Sequence, residues 1–398
     1  MKILYCIPNL EHGGAERQMS YIAAELARLG HEVHVASRAS GPNLERILAS
    51  GAVWHCLGKS DIRDYGKYGS RTSHLLAAAD VLWRLIGLIR KIRPDTIQTV
   101  LAPMDVLGGT AALLTGAPWV LKECSAALVY TTYRRYWLRF AFGSLANGVI
   151  ANSEHGKDYW RQAHTQDRLY VIPNAIPIAE IRQAQFRDNS LNLKPDDKVV
   201  LYAGRIDIGK NVEGLIAALA LIQNDVSFKL IICGEGANRA SVEQMARELG
   251  IADRVIFTGY VDNLWELMKR ANAFVSLSRC EGCPNVVLEA MACECPLIVS
   301  DIPAHREMLA EKEALFVKLD DPEAAARAIL STLTDTAATQ ARAESAGANV
   351  NQRPSLEVAA RKHEAAYREM IESRGALLRR FAKRPRPEWK FPAEQGEP

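Results

Sequence analysis

Three absences narrow the field before any motif is read. No Asp-x-Asp pair occurs in the chain, so carboxylates spaced to share a divalent metal are not offered in that form. No six-residue Gly-x-Gly-x-x-Gly fingerprint follows the first strand, which removes the usual dinucleotide motif. No uncharged apolar run is long enough to span a bilayer. The longest, residues 106–121, is interrupted by Gly108, Gly109, Gly116 and Pro118, so any membrane contact is expected to be peripheral. Residues 1–8 carry one basic residue and an apolar run cut by Pro8; they read as a strand rather than a leader. Net charge is also small: Lys and Arg total 49, Asp and Glu 46, a balance of +3. That excludes bulk binding of nucleic acid and confines any basic surface to a local patch.

Eight cysteines are present. Cys6 and Cys233 sit in apolar runs and read as the reduced, buried thiols of a cytoplasmic protein. Cys280, Cys283, Cys293 and Cys295 have the spacing C-x2-C-x9-C-x-C, which is not a usual structural zinc pattern, so no metal is expected there.

What is present is an α/β chain, and its 398 residues suggest two domains. Residues 2–7 read as a strand, 9–17 as a loop containing Gly13-Gly14, 19–29 as an amphipathic helix, and 32–36 as the next strand. A helix is expected over 75–92, with Leu75, Leu76, Ala79, Leu82, Trp83, Ile86 and Ile89 on one broad face. Strands follow at 96–100, 119–121 and 148–153, the last running into a helix cap at Ser153. A second series of strands opens at 199–204 and continues at 228–233, 255–259, 273–278 and 296–300, with helices between. Such alternation implies parallel sheets, which bind ligands at the carboxyl ends of their strands.

The stretch 279–291 follows one of these strands and runs into a helix expected over 286–292. Pro284 suits the first helical turn, where its missing N–H costs nothing. The free N–H groups of a helix start favour an anion. Glu281 and Glu289 flank that start. Carboxylates repel a bare phosphate, yet they accept hydroxyls from a ligand that also carries phosphate, and a nucleotide sugar meets both conditions. Taken alone, the stretch fits a capped surface helix with two solvated glutamates as well.

Gly204-Arg205 with Lys210-Asn211, the E-x7-E spacing of Glu281 and Glu289, and Gly13-Gly14 after the first strand together resemble the retaining glycosyltransferases of family 4. The resemblance runs over nearly the whole chain and is strongest over 199–309. It implies the α/β GT-B fold, two Rossmann-like doubly wound domains facing a central cleft. Residues 1–178 would form the acceptor side and 179–355 the nucleotide-sugar side. Residues 356–398 would be a helix returning towards the first domain plus a basic tail. The resemblance further implies a catalytic set of Arg205, Lys210 and Glu281, the two cations binding the donor diphosphate and Glu281 lying near the donor sugar. Glu289 would hold the ribose hydroxyls. Gly282, Cys283, Pro284, Asn285 and Val286 would meet the sugar and phosphates, and Gly13 and Gly14 would close over the diphosphate. No cofactor is implied beyond a UDP- or GDP-sugar donor. Cations in place of a metal make metal-independent transfer the expectation. The implied reaction moves the sugar, with retention, to a glycan or lipid-linked glycan in cell-surface polysaccharide or glycolipid synthesis.

Three departures stand out. A histidine carried by many relatives in the first domain has no clear counterpart; Lys122-Glu123 occupies a comparable strand end. Glu294 stands where Gly is common, and a left-handed backbone there would suit Glu poorly. Cys283 stands where a larger apolar residue is common. Two other readings share the fold: a nucleotide-sugar 2-epimerase, and a non-catalytic membrane-associated partner. Intact Arg205, Lys210, Glu281 and Glu289 argue against the second. The aromatic and arginine-rich stretch 130–142 reads either as a membrane-interface segment or as a core-covering helix with its arginines outside. The basic tail 374–390, with Leu377, Leu378, Phe381 and Trp389, suggests contact with anionic lipid. The expected location is the cytoplasm, with peripheral contact at the inner face of the cytoplasmic membrane.

Overall fold

The computed structural model describes residues 1–58, 71–125, 136–186, 191–262 and 264–381, without the side chains of 71–74 and 374–381. Two parallel sheets organise them. The first contains β1 (Lys2–Ile7), β2 (Glu32–Ser37), β3 (Val53–Cys56), β4 (Thr96–Val100), β5 (Trp119–Glu123), β6 (Gly148–Ala151) and β7 (Leu169–Val171), in the order β3-β2-β1-β4-β5-β6-β7. The second contains β8 (Val199–Ala203), β9 (Lys229–Cys233), β10 (Val255–Gly259), β11 (Ala273–Ser276), β12 (Leu297–Ser300) and β13 (Leu315–Val317), in the order β10-β9-β8-β11-β12-β13. In each sheet the chain order reverses at the domain's first strand, so crevices open beside the carboxyl ends of β1 and β8. This is the expected pair of doubly wound domains; β3 and β13, short and at the sheet edges, lack a clear strand signal in the sequence.

The unbroken apolar character of the strands follows from burial on both faces. From β1, Ile3, Tyr5 and Ile7 pack with Met19, Ile22 and Leu26, while Leu4 and Cys6 pack with Val81, Leu85, Ile86 and Ile89. From β8, Val199, Leu201 and Ala203 face Val287, Leu288 and Met291, and Val200 and Tyr202 face Val212, Leu215 and Leu219. Ile176, Ile181 and Leu193 already belong to the second domain's core. The last helix, Leu356–Phe381, returns to the first domain, where Ala359, Ala360, Tyr367 and Met370 are buried.

Three expectations change. The first helix is Gly14–Arg28, not 19–29, because Gly13 is extended and caps it and Glu16 stabilises its positive end. The apolar period missed this polar first turn, and Glu16 and Arg17 therefore ride on helix rather than loop. On the helix Arg71–Ile92, Leu75, Leu76 and Trp83 are exposed, and the buried stripe is Val81, Leu85, Ile86 and Ile89. Of the stretch 130–142, residues 130–135 lie outside those described. The remainder forms the helix Trp137–Gly143, with Trp137 and Leu138 exposed but Arg139 buried. The Arg139 Nε lies 2.6 Å from Asp105 Oδ2 and its Nη1 2.7 Å from Glu123 Oε2. Burial pushes the Asp105 carboxyl up to about 6 despite Arg139 and the Thr99 hydroxyl. The tail beyond Phe381 also lies outside the described residues. No helix among them is long and apolar enough to cross a membrane.

The return of the last helix carries a pH signature. His363 is buried, its Nδ1 2.9 Å from the Ala359 carbonyl oxygen, and burial with the nearby Lys122 charge pushes its pKa down to about 3. In the unfolded chain a histidine titrates near about 6.5. Unfolding therefore takes up a proton between these values, and stability present above about 6.5 is lost as pH falls towards 3. The melting temperature of the protein should drop more between pH 7 and pH 5 than that of His363→Gln; parallel curves would refute the assignment.

Candidate functional site

The loops after β8 and β11 meet beside the reversal point of the second sheet. After β8, Gly204 (φ +155°) turns the chain and the Tyr202 hydroxyl donates to the Arg205 carbonyl at 2.6 Å. A short helical turn, Ile208–Lys210, is capped by Asp207, whose Oδ1 accepts the Lys210 N–H at 3.1 Å. The Arg279 N–H donates to the Gly209 carbonyl at 2.8 Å and ties this loop to the one after β11. Lys210 Nζ is thereby delivered to Glu281, and the two form an ion pair. Burial works to raise the Glu281 carboxyl, but Lys210, the Ser278 hydrogen bond and nearby His305 outweigh it and hold it low. His305 is fully buried, with Nδ1 2.8 Å from the Ser300 carbonyl oxygen and Nε2 without a hydrogen-bond partner. Arg205 stands apart from this pair, its side chain 72% exposed and 3.3 Å from Asp207.

The helix Asn285–Ala292 starts next to Glu281, with Pro284 as its cap rather than its first residue. The N–H groups of Val287 and Leu288 reach back to the Pro284 carbonyl, which leaves those of Asn285 and Val286 outside the helical ladder. One and a half turns along, Glu289 has no exposed surface. Its carboxylate meets Arg17 Nη2 from the other domain, at 2.9 Å on Oε1 and 3.1 Å on Oε2, and Trp265. Burial still raises its pKa, the Arg17 charge and these hydrogen bonds offsetting only part of the cost.

The first domain closes on this helix start. The Asn174 amide donates to the Cys283 carbonyl at 2.9 Å and to Asn285 Oδ1 at 2.7 Å, while Asn285 Nδ2 donates to the Gly14 carbonyl at 3.0 Å. Gly282 lies so close to the first domain that a Cβ would stand 2.6 Å from the Cys124 carbonyl oxygen. His155 spans the same junction, Nε2 2.8 Å from the Glu281 carbonyl oxygen and Nδ1 2.7 Å from Glu307. Cys283 is buried and Val286 half-buried. Gly13 needs no positive φ; its missing Cβ makes room for the Glu16 carboxylate, which folds back over it.

The structure thus brings Gly14, Lys210, Glu281, Gly282, Cys283, Pro284, Asn285 and Glu289 to one junction and leaves Arg205 at its edge. Sequence reading passed over Glu16, Arg17, Asn174, His155, Trp265 and His305. Arg17 was adjacent to the glycine pair, and only the helix start at Gly14 aims it. At the strand end compared with the histidine of relatives, Glu123 is committed to Arg139 and to Trp160 Nε1 at 2.9 Å. Lys122 is buried, its pKa lowered by desolvation, with Nζ 3.4 Å from the Ile172 carbonyl oxygen.

Glu294, just past the helix Asn285–Ala292, does adopt a left-handed backbone with φ +53°. A left-handed non-glycine residue costs about 1 kcal/mol. Glu294→Gly should therefore raise the melting temperature by about 2 °C for a protein of this size; a fall would show that the Glu294 side chain, packed on Gly347, contributes more than its backbone costs.

Comparison with known proteins places this geometry. Residues 183–350 match the family described as Glycosyl transferases group 1, and residues 12–180 match Glycosyltransferase Family 4. A GalNAc-alpha-(1->4)-GalNAc-alpha-(1->3)-diNAcBac-PP-undecaprenol alpha-1,4-N-acetyl-D-galactosaminyltransferase of Campylobacter jejuni is 24% identical over 84% of this chain and 89% of its own length. A GDP-mannose:cellobiosyl-diphosphopolyprenol alpha-mannosyltransferase of Xanthomonas oryzae is 32% identical over 45% of this chain and 47% of its own. The chain spans only 40 to 46% of the length of three further curated relatives matched at 31 to 34% identity. Among solved structures, the sucrose-phosphate synthase of Thermosynechococcus elongatus superposes with TM-score 0.78 at 22% identity, covering 94% of this chain and all of that one. Anabaena Alr3699/HepE in complex with UDP and glucose superposes with TM-score 0.75 at 21% identity and the same coverage. Two abutting family matches, on two doubly wound domains that superpose end to end on solved structures, make the chain a member of the family 4 glycosyltransferases of GT-B fold.

Proposed function

We propose that this protein is a retaining, metal-independent glycosyltransferase that takes a sugar from a UDP- or GDP-sugar to a lipid-linked glycan. The observation that carries the reading is the Lys210–Glu281 pair beside the start of the helix Asn285–Ala292, with the buried Glu289 on the same helix. A nucleotide sugar uses each part. The diphosphate lies at the two N–H groups outside the helical ladder, with Lys210 beside it and Arg205 swinging in from the edge. Glu289 accepts the ribose hydroxyls. Glu281, kept ionised by Lys210, accepts hydroxyls of the sugar. As the glycosidic bond breaks, negative charge builds on the leaving diphosphate, and the two cations stabilise it where a metal would otherwise serve. The acceptor hydroxyl attacks from the face the diphosphate leaves and passes its proton to the departing phosphate oxygen, which retains configuration. Relatives whose names specify diphospho-undecaprenol or diphosphopolyprenol acceptors support the lipid-linked class.

Two measurements test the reading. UDP-, GDP-, ADP- and dTDP-sugars are added to the purified protein with and without EDTA. One of them should raise the melting temperature equally in both, since a ligand of the folded state stabilises by mass action; stabilisation only with metal would refute the role given to Arg205 and Lys210. With the donor so identified, Lys210→Ala should lower kcat by about a hundredfold or more, the loss seen when one transition-state donor is removed. Unchanged turnover would remove Lys210 from the site.

A further inference from the structure

Glu289 poses a problem for any donor: its carboxylate is fully buried and already taken. Arg17 Nη2 sits within 2.9 and 3.1 Å of its two oxygens, so ribose hydroxyls reach them only if the guanidinium leaves. The residue before it does the same at the other end of the donor. The Glu16 carboxylate lies over Gly13, so close that a Cβ there would stand 2.0 Å from Oε2, and the Arg205 charge offsets part of the rise that burial gives its pKa. One side chain offers hydrogen-bond donors to the ribose-accepting carboxylate; its neighbour lays an anion over the glycine pair expected to close on the diphosphate.

We propose that Glu16 and Arg17, adjacent in the first turn of the first helix, occupy the diphosphate and ribose subsites and are the groups a donor displaces on entry. The inference rests on the donor reading of Arg205 and Glu289 above.

The self-occupied arrangement is built to be displaced. Arg17 Nε is buried without a partner, and Glu289 Oε1 receives no well-aligned hydrogen bond despite its proximity to Arg17. Two vicinal hydroxyls can each donate to one carboxylate oxygen and leave neither short, so the exchange gains hydrogen bonds. Both side chains are half-buried rather than enclosed, and the Arg17 side chain keeps 24% of its surface in solvent, so the guanidinium has somewhere to go. The Asn285 bond to the Gly14 carbonyl holds that turn against the helix start, which keeps the displaced guanidinium within reach of the donor phosphates.

A ligand that must displace an internal competitor binds with its intrinsic affinity reduced by the fraction of free site. Removing the competitor should therefore tighten binding. The test is calorimetric titration of the full chain, wild type, Glu16→Gln and Arg17→Met, with UDP, GDP and ADP, each beside its own nucleoside. Glu16→Gln should bind the recognised diphosphate about three- to tenfold more tightly and its nucleoside unchanged. Arg17→Met should bind the nucleoside more tightly by a similar factor. Unchanged or weaker diphosphate binding by Glu16→Gln overturns the proposal while leaving the donor reading intact, and so does unchanged or weaker nucleoside binding by a folded Arg17→Met. Failure of all three proteins to bind any probe overturns the donor reading and the proposal with it; binding by the variants alone supports both. Glu16→Gln is isosteric, so its arm stands even if Arg17→Met fails to fold.

Discussion

A carboxylate with no exposed surface has to be given hydrogen-bond partners that come to it, and Glu289 imposes that requirement on the whole cleft. Its position midway along the helix Asn285–Ala292 is dictated by the second domain, whose core takes Val287, Leu288 and Met291 from the same helix. The first domain answers with Arg17, and can do so only because its first helix begins at Gly14 and points its opening turn at the junction. The fit between the domains follows from one buried charge that neither domain satisfies alone.

Close approach makes that answer possible. Gly282 has no side chain where the Cys124 carbonyl stands, and Asn174 spends both amide hydrogens on the loop and helix start of the other domain. Such contacts are polar, and inter-domain surfaces of that kind are the ones that open and close. The arrangement therefore combines a tightly specified closed geometry with a modest cost of leaving it, which suits a site that must admit a large anionic ligand.

The first domain contributes less chemistry from its strand ends than its resemblance to relatives suggests. Glu123 is locked into an ion cluster with Arg139 and Asp105 beneath Trp160, and removing one member of such a cluster would strand a buried charge at a cost of about 3 to 5 kcal/mol. Lys122 is buried with its ammonium 3.4 Å from the Ile172 carbonyl oxygen, and its charge acts on His363 of the last helix. The charged groups at the junction instead come from the second domain's loops and helix and from the first helix's opening turn.

The sequence alone determined the elements whose signal is local. The apolar runs of β1, β4, β8 and β9, the alternation that makes both sheets parallel and the serine cap at Ser153 all follow from nearest neighbours along the chain. The grouping of Lys210, Glu281 and Glu289 came from the resemblance to family 4, and it is consistent with strand ends that converge in such sheets. Tertiary structure decided the rest. Whether Leu75, Leu76 and Trp83 are buried depends on what lies over them, not on their spacing. Arg139 reads as a surface charge until Asp105 and Glu123 are folded beside it. Arg17 and Glu289 are separated by most of the chain, and their pairing is a fact about how two domains face one another, which no local pattern encodes.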